Sequence, residues 1–274
     1  MHKKISKRFL VKFYIFIDNK LQMLYNIYNL FYVTLFNFFI KGRFAVNEQE
    51  IREQIADICH KMWQLGWVAA NDGNISVKVG EDEFLVTPSG ISKCFITPDK
   101  IVKVDGGGNI LEECADCFPS NEIIMHMRCY HVRDDVGAVI LANPPTATGY
   151  AVANKALDGY TMTESVIEIG SVPVTPYGTP STYELAESIT PYLENHDVML
   201  LQNHGALTVG EDLLTAYYRM ETLELFAKIS LTAHLLGGER EISRENIDRL
   251  CTMRSKYRVT GRHPGYKKYP YGNE

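Results

Sequence analysis

The 274-residue chain carries a net charge of −5 and 46% hydrophobic residues, enough apolar material for a sizeable buried core. Its Lys and Arg residues are scattered, which excludes the electrostatic footprint of a DNA- or RNA-binding protein and leaves a small molecule as the expected partner. Six cysteines at positions 59, 94, 114, 117, 129 and 251 are too few and too irregular for a disulfide scaffold, and fit reduced thiols in a cytoplasmic setting.

Residues 1–46 differ in composition from the rest. Basic residues (Lys3, Lys4, Lys7, Arg8, Lys12) precede an uncharged Phe-, Tyr-, Leu- and Asn-rich run from Leu21 to Ile40, close to the roughly 20 residues that span a bilayer. A hydrophobic anchor is one reading. The interspersed Gln22, Asn26, Asn29 and Asn37 weigh against it, and the second reading is translation from an upstream start in AT-rich DNA.

Asn47, with Glu50 three residues on, resembles a capping box, and Ile51, Ile55, Ile58, Met62 and Leu65 then recur at helical spacing up to Gly66. "EFLVT" reads as a strand, and "ITPDKIVKVDGGGNIL" as a strand followed by a glycine-rich turn. Cys114-Ala-Asp-Cys117 with His126 and His131 could be drawn as a four-ligand zinc site or read as two unpaired loop cysteines. A helix is expected after Pro119 with Ser120 as its N-cap and Ile123, Met127 and Tyr130 on one face. "VGAVILA" is a continuous apolar run, the pattern of a strand covered on both faces, and it stops at Asn143-Pro144-Pro145. Further strands are expected at "VIEI", "VPVT" and "VMLLQ", with a helix capped by Ser181 and Glu184 between the last two. "NHGALTVG" reads as a turn and strand, and Asp212 to about Leu236 as a long helix. The expected fold is one α/β domain over 47–240 with a mostly antiparallel sheet, then a solvated tail over 241–274.

Three loops have the composition of an anion site: "NDGNIS" (71–76), "TPSG" (87–90) and "PSNE" (119–122). Glycine lets backbone N–H groups approach a ligand, Ser and Asn add donors, and a helix start attracts negative charge. Glu122 is either a carboxylate favoured by the helix dipole or a general acid/base beside a bound phosphate ester. His204 alone defines nothing, since a zinc site needs at least three protein ligands.

The ordered series "GNIS … TPSG … PSNE … NPPTATG … GSVPVTPYGTPST … LLQNHGALTVG … AYYRMETLE" resembles the class II aldolase/adducin-head family. The likeness is strongest to its bacterial sugar-phosphate aldolases of the L-fuculose-phosphate aldolase type, and runs from about Glu48 to Leu236. It implies a three-layer α/β/α domain, commonly a homotetramer with sites between subunits. It also implies metal-dependent lyase chemistry on a ketose 1-phosphate such as L-fuculose 1-phosphate, releasing dihydroxyacetone phosphate and an aldehyde. Carried over, Gly73, Asn74, Ser89, Gly90 and Ser120 would bind the phosphate, with Asn121 standing where a second serine is common. Glu122 would be the acid/base, and its being Glu favours aldol chemistry over epimerases, which carry Asp there.

The family's metal, usually zinc, is held by a His-x-His pair ending the strand before the Pro-Pro segment and by the histidine of "NHG". The last is His204, but the pair falls on Leu141 and Asn143. Leucine cannot ligate, and a neutral amide oxygen suits calcium or magnesium better than zinc. The resemblance thus implies an aldolase whose zinc binding is weakened or lost, or a non-catalytic phosphate-binding scaffold of the same fold, with a dehydratase or epimerase as a third reading. In the resembling aldolases the C-terminal segment can cover the site, a part for which Tyr257 in the basic tail is a candidate, with a solvated tail as the default reading.

Overall fold

The computed structural model describes residues 47–112 and 117–269. The anchor and upstream-start readings of the first 46 residues and the ligand role of Cys114 fall outside the described residues. No described helix is long and apolar enough to cross a membrane.

The elements in chain order are α1 (Glu48–Gln64), β1 (Asn74–Lys78), β2 (Phe84–Val86), two short 3-10 turns (Lys93–Phe95 and Pro98–Lys100), β3 (Val102–Val104) and α2 (Ile123–Val132). They continue with β4 (Ala138–Ala142), α3 (Pro145–Val152), α4 (Thr163–Glu168), β5 (Val174–Thr175), α5 (Tyr183–Leu193), β6 (Val198–Leu201), β7 (Gly205–Gly210), α6 (Leu213–Leu235) and α7 (Arg244–Met253). The seven strands form one sheet in the order β3-β2-β1-β4-β7-β6-β5. Every pairing is antiparallel except β5 with β6, as expected.

The sheet is covered on both faces, and strand alternation sorts its residues between two apolar clusters. Ala138, Ile140 and Ala142 of β4 join Ile75 and Val77 against α1, α3 and α6. Val139 and Leu141 turn the other way and meet Met125 and Cys129 of α2 and Leu185 and Ile189 of α5. This two-sided burial is why "AVILA" is apolar throughout.

The double proline after β4 sets the start of α3. Pro144 stands at the N-cap and Pro145 in the first turn, where a missing N–H costs nothing. The remaining orphan donors find Glu224 of α6, whose carboxylate accepts from Thr146 N (3.1 Å), Thr146 Oγ1 (2.9 Å) and Ala147 N (2.9 Å). Glu224 is only 1% exposed. Glu224→Ala would leave buried N–H groups unpaired and should cost about 3 kcal/mol, lowering Tm by roughly 6–12 °C in a domain of this size. Glu224→Gln, which keeps an acceptor, should lose about half as much. Thermal melts of both variants check this; equal losses would show that packing rather than the capping bonds dominates.

Four expectations are corrected. "VIEI" is helix, not strand: Val166 and Ile167 lie in α4 and are buried by it. β-Branched propensity depends on context, and here a helix buries the same apolar side chains. The α2 N-cap is Glu122, with no side-chain cap bond, because Ser120 Oγ accepts instead from Glu122 N (3.3 Å) in a tight turn before the helix. The α5 cap is Thr182, whose Oγ1 accepts from Glu184 N; Ser181 sits one residue earlier at φ 63°. The segment after residue 240 is not solvated through its described part. Ile247 of α7 is fully buried, Tyr266 stacks on Tyr160 at 4.9 Å, and Arg254 donates to Thr260 O (2.8 Å).

Candidate functional site

Three loop segments meet at one end of the sheet, where β1 begins and β4 ends. The 87–90 and 119–122 loops are tied by two backbone bonds, Ser89 N to Phe118 O (2.8 Å) and Ser120 N to Thr87 O (3.2 Å). The 71–74 loop turns into β1 through Gly73 at φ 72°, where a Cβ would lie 2.5 Å from Val68 Cγ1 and 3.1 Å from the Leu141 carbonyl. Gly90 also has a positive φ, 74°, but a Cβ there would meet nothing within 4 Å, so its requirement is conformational and it opens onto free space.

The result is a cleft of about 340 Å³. Its lining includes Gly73, Asn74, Ser89, Gly90, Ser120, Asn121, Glu122, Leu141, Asn143 and His204, with Asn71, Asp72, Pro88 and Ser181 completing it. The residues carried over for phosphate binding, acid/base chemistry and the metal positions 141, 143 and 204 are therefore in one place. The pairing register accounts for part of this, since Asn74 stands opposite Leu141 and residues 141 and 143 share a face by strand alternation.

The Glu122 side chain does not cap its own helix. Oε1 accepts from Ser181 Oγ at 3.3 Å, and Oε2 is buried without a partner among the described residues. His204, in the β6–β7 turn, has its Nδ1 in the same state. Burial pushes the His204 imidazole below its ordinary pKa, opposed by the negative charges of Glu122 and Asp72. Two orphaned polar atoms facing one cleft mark a place prepared for something other than protein.

These residues do not fit a zinc ion. Leu141 is 3% exposed and packed in the α2/α5 cluster, and Asn143 Nδ2 is committed to the carbonyl oxygen of His204 (2.5 Å). His204, Glu122 and Asp72 remain in the lining, but they do not come together as the set of three protein ligands that zinc requires. Among the described residues no cluster of three or more His, Cys, Asp or Glu side chains could hold a metal.

The alternative zinc reading at residues 114–131 is also corrected. Both ring nitrogens of His126 are engaged, with Ser76 Oγ (2.7 Å) and Asn74 Oδ1 (2.5 Å), while Cys117 is buried in the α2-side cluster and His131 is exposed. Tyr257 is exposed and does not line the cleft.

Sequence reasoning missed Lys93, 1% exposed, whose ammonium donates to Asn71 O (3.1 Å) and Ile91 O (3.4 Å). It thereby ties the first anion loop to the end of the second. Burial depresses its pKa, with Cys59 and Asp72 acting against that. A charged residue inside the otherwise uncharged "ISKCFIT" was the available signal.

A seven-stranded mixed sheet between helical layers, with a glycine- and serine-lined cleft at the β1/β4 end beside a Glu and a His, defines an α/β enzyme fold of the class II aldolase type. The chain belongs to the Class II Aldolase and Adducin N-terminal domain family, whose model matches residues 53–231. It is similar to the L-fuculose phosphate aldolase of Methanocaldococcus jannaschii, 31% identical over 180 residues, covering 66% of this chain and 95% of that protein. It is likewise similar to the L-fuculose phosphate aldolase of Escherichia coli K12, 31% identical over 187 residues, covering 68% of this chain and 85% of that one. A solved L-fuculose 1-phosphate aldolase superposes with a TM-score of 0.69 at 28% identity, covering 76% of this chain and 96% of the other.

Proposed function

We propose that the cleft binds the phosphate end of a ketose 1-phosphate such as L-fuculose 1-phosphate, in a protein of the aldehyde-lyase class whose turnover is reduced by the residues at 141 and 143. The observation that carries this is the convergence of the three anion loops on Glu122 and His204 in one cleft. Gly73, Asn74, Ser89, Gly90, Ser120 and Asn121 present backbone and side-chain donors to the phosphate oxygens.

Glu122 acts at the sugar end. Its free Oε2 takes the proton of the substrate hydroxyl whose carbon becomes the aldehyde. The adjoining carbon–carbon bond breaks toward the ketone, giving the enediolate of dihydroxyacetone phosphate. The protonated carboxyl then returns that proton to carbon, so the step balances without a further reactant. In the family a divalent cation, usually zinc, stabilises the enediolate charge; the residues present here do not fit it, and no step of this chain relies on it. The second reading, a phosphate-binding scaffold without turnover, is favoured by Leu141 and Asn143 alone. Complete anion loops beside an uncapped Glu122 favour the enzyme. The working assembly is a cytoplasmic homotetramer, as the family resemblance implies.

The test is calorimetric titration of the full chain with inorganic phosphate and L-fuculose 1-phosphate, alongside a retro-aldol assay that follows dihydroxyacetone phosphate. Binding of both with slow turnover is expected, and Ser89→Ala should weaken both by about tenfold, the loss of one donor to a charged group. Failure of either compound to bind would overturn the cleft's assignment. Binding with no turnover above the buffer rate would leave the scaffold reading standing.

A further inference from the structure

One buried polar network lies directly behind the cleft. Asn74 and Ser76 are two apart on β1 and point to its α2 side, while His126 and Tyr130 are four apart on α2 and point back at them. The contacts are Tyr130 Oη with Ser76 Oγ at 2.8 Å, Ser76 Oγ with His126 Nδ1 at 2.7 Å, and His126 Nε2 with Asn74 Oδ1 at 2.5 Å. All four residues are buried.

The direction of this chain follows from its ends. An amide oxygen only accepts, so His126 Nε2 carries the proton. Burial drives the imidazole pKa down to about 3, so the ring is neutral, Nδ1 is bare, and Ser76 donates to it. Ser76 oxygen in turn accepts from Tyr130. The reverse order would turn the Asn74 amide over and leave the Tyr130 hydroxyl hydrogen buried with no acceptor among the described residues, the costlier kind of orphan.

We infer that His126 is a positioning residue: backed by Ser76 and Tyr130, it locks the Asn74 amide so that Nδ2 faces the cleft as a fixed donor to a phosphate oxygen. Asn74 lines the cleft beside Gly73, Ser89, Gly90 and Ser120, and its Nδ2 donates to no atom of the described residues. The opposite amide orientation would present an oxygen lone pair to an anion and repel it. The network sets the sign of this contact without adding a charge of its own, and it rests on the phosphate reading of the cleft.

The experiment is a double-mutant cycle on the full chain, read by titration with inorganic phosphate, with circular dichroism confirming the fold of each variant. His126→Leu should weaken phosphate by about tenfold in the unsubstituted chain but by less than about twofold in an Asn74→Ala background, since its effect runs through that amide. His126→Gln, which can still donate to Asn74 Oδ1, should recover to within about threefold. An equal loss from His126→Leu in both backgrounds would overturn the inference, because a general structural role acts regardless of Asn74. If the unsubstituted chain binds no phosphate, the reading of the cleft fails instead. The imidazole 15N spectrum then judges the network with no variant needed: a single Nε2–H tautomer upholds the locked amide, and an Nδ1–H tautomer sinks it.

Discussion

Leu141→His with Asn143→His is expected to convert a chain that takes up little zinc into one that holds about one zinc ion per chain, and to raise retro-aldol turnover on the order of a thousandfold. The argument is geometric. Position 141 is the last-but-one residue of β4, and its side chain lies on the α2/α5 face with Val139. Position 143 follows on the same face by alternation, one residue past the strand end. Both line the cleft opposite the β6–β7 turn that carries His204. Two imidazoles there would join His204 to make three nitrogen ligands, the number a catalytic zinc site uses before its open position. The change has a cost: Leu141 leaves an apolar cluster, about 2 kcal/mol of burial, and Asn143 gives up its bond to the His204 carbonyl. Elemental analysis after exhaustive dialysis is the measurement. Equal zinc in the unsubstituted and doubly substituted chains would refute the claim that these two positions decide metal binding.

How far the site could be read in advance depended on whether its parts are local in sequence. The three anion loops are runs of four to six residues whose turn chemistry is self-contained, and they were legible. The positions Leu141 and Asn143 come only from the family resemblance, which places a His-x-His pair at the end of that strand. The back of the site was not legible. His126 and Tyr130 sit on a helix and Asn74 and Ser76 on a strand fifty residues away, and only the register of α2 against β1 brings them together. Lys93 hides for the opposite reason, since a buried ammonium in a short uncharged run has no periodic signature and shows itself only through the carbonyls of Asn71 and Ile91. "VIEI" misled because β-branched propensity is weak evidence, and a helix buries Val166 and Ile167 as well as a strand would. The tail misled because its charges and tyrosines read as solvent-facing. In the fold, Tyr160 accepts from Lys267 N (2.6 Å) and donates to the Gly265 carbonyl (2.7 Å), while Asp197 is held between Arg133 (2.6 Å) and Arg219 (2.8 Å) with Thr260 bonded to the same Arg219.

Glu122→Gln should separate binding from chemistry. The substitution keeps the size of the side chain and an oxygen for Ser181 Oγ, so the cleft should retain its shape and inorganic phosphate should bind to within about threefold of the unsubstituted chain. What is lost is the group that takes and returns a proton, a contribution of roughly a hundredfold to ten-thousandfold in rate. The test has most range in the Leu141→His, Asn143→His background, where there is turnover to lose. Glu122→Gln added there should remove it while zinc content stays near that of the double variant, because the three histidines carry the metal. If turnover survives the substitution unchanged, Glu122 is not the acid/base, and its unpartnered Oε2 needs another explanation. If turnover and phosphate binding fall together, Glu122 holds the cleft open rather than moving a proton. A drop in kcat with phosphate affinity preserved is the outcome that places the proton transfer on this carboxylate.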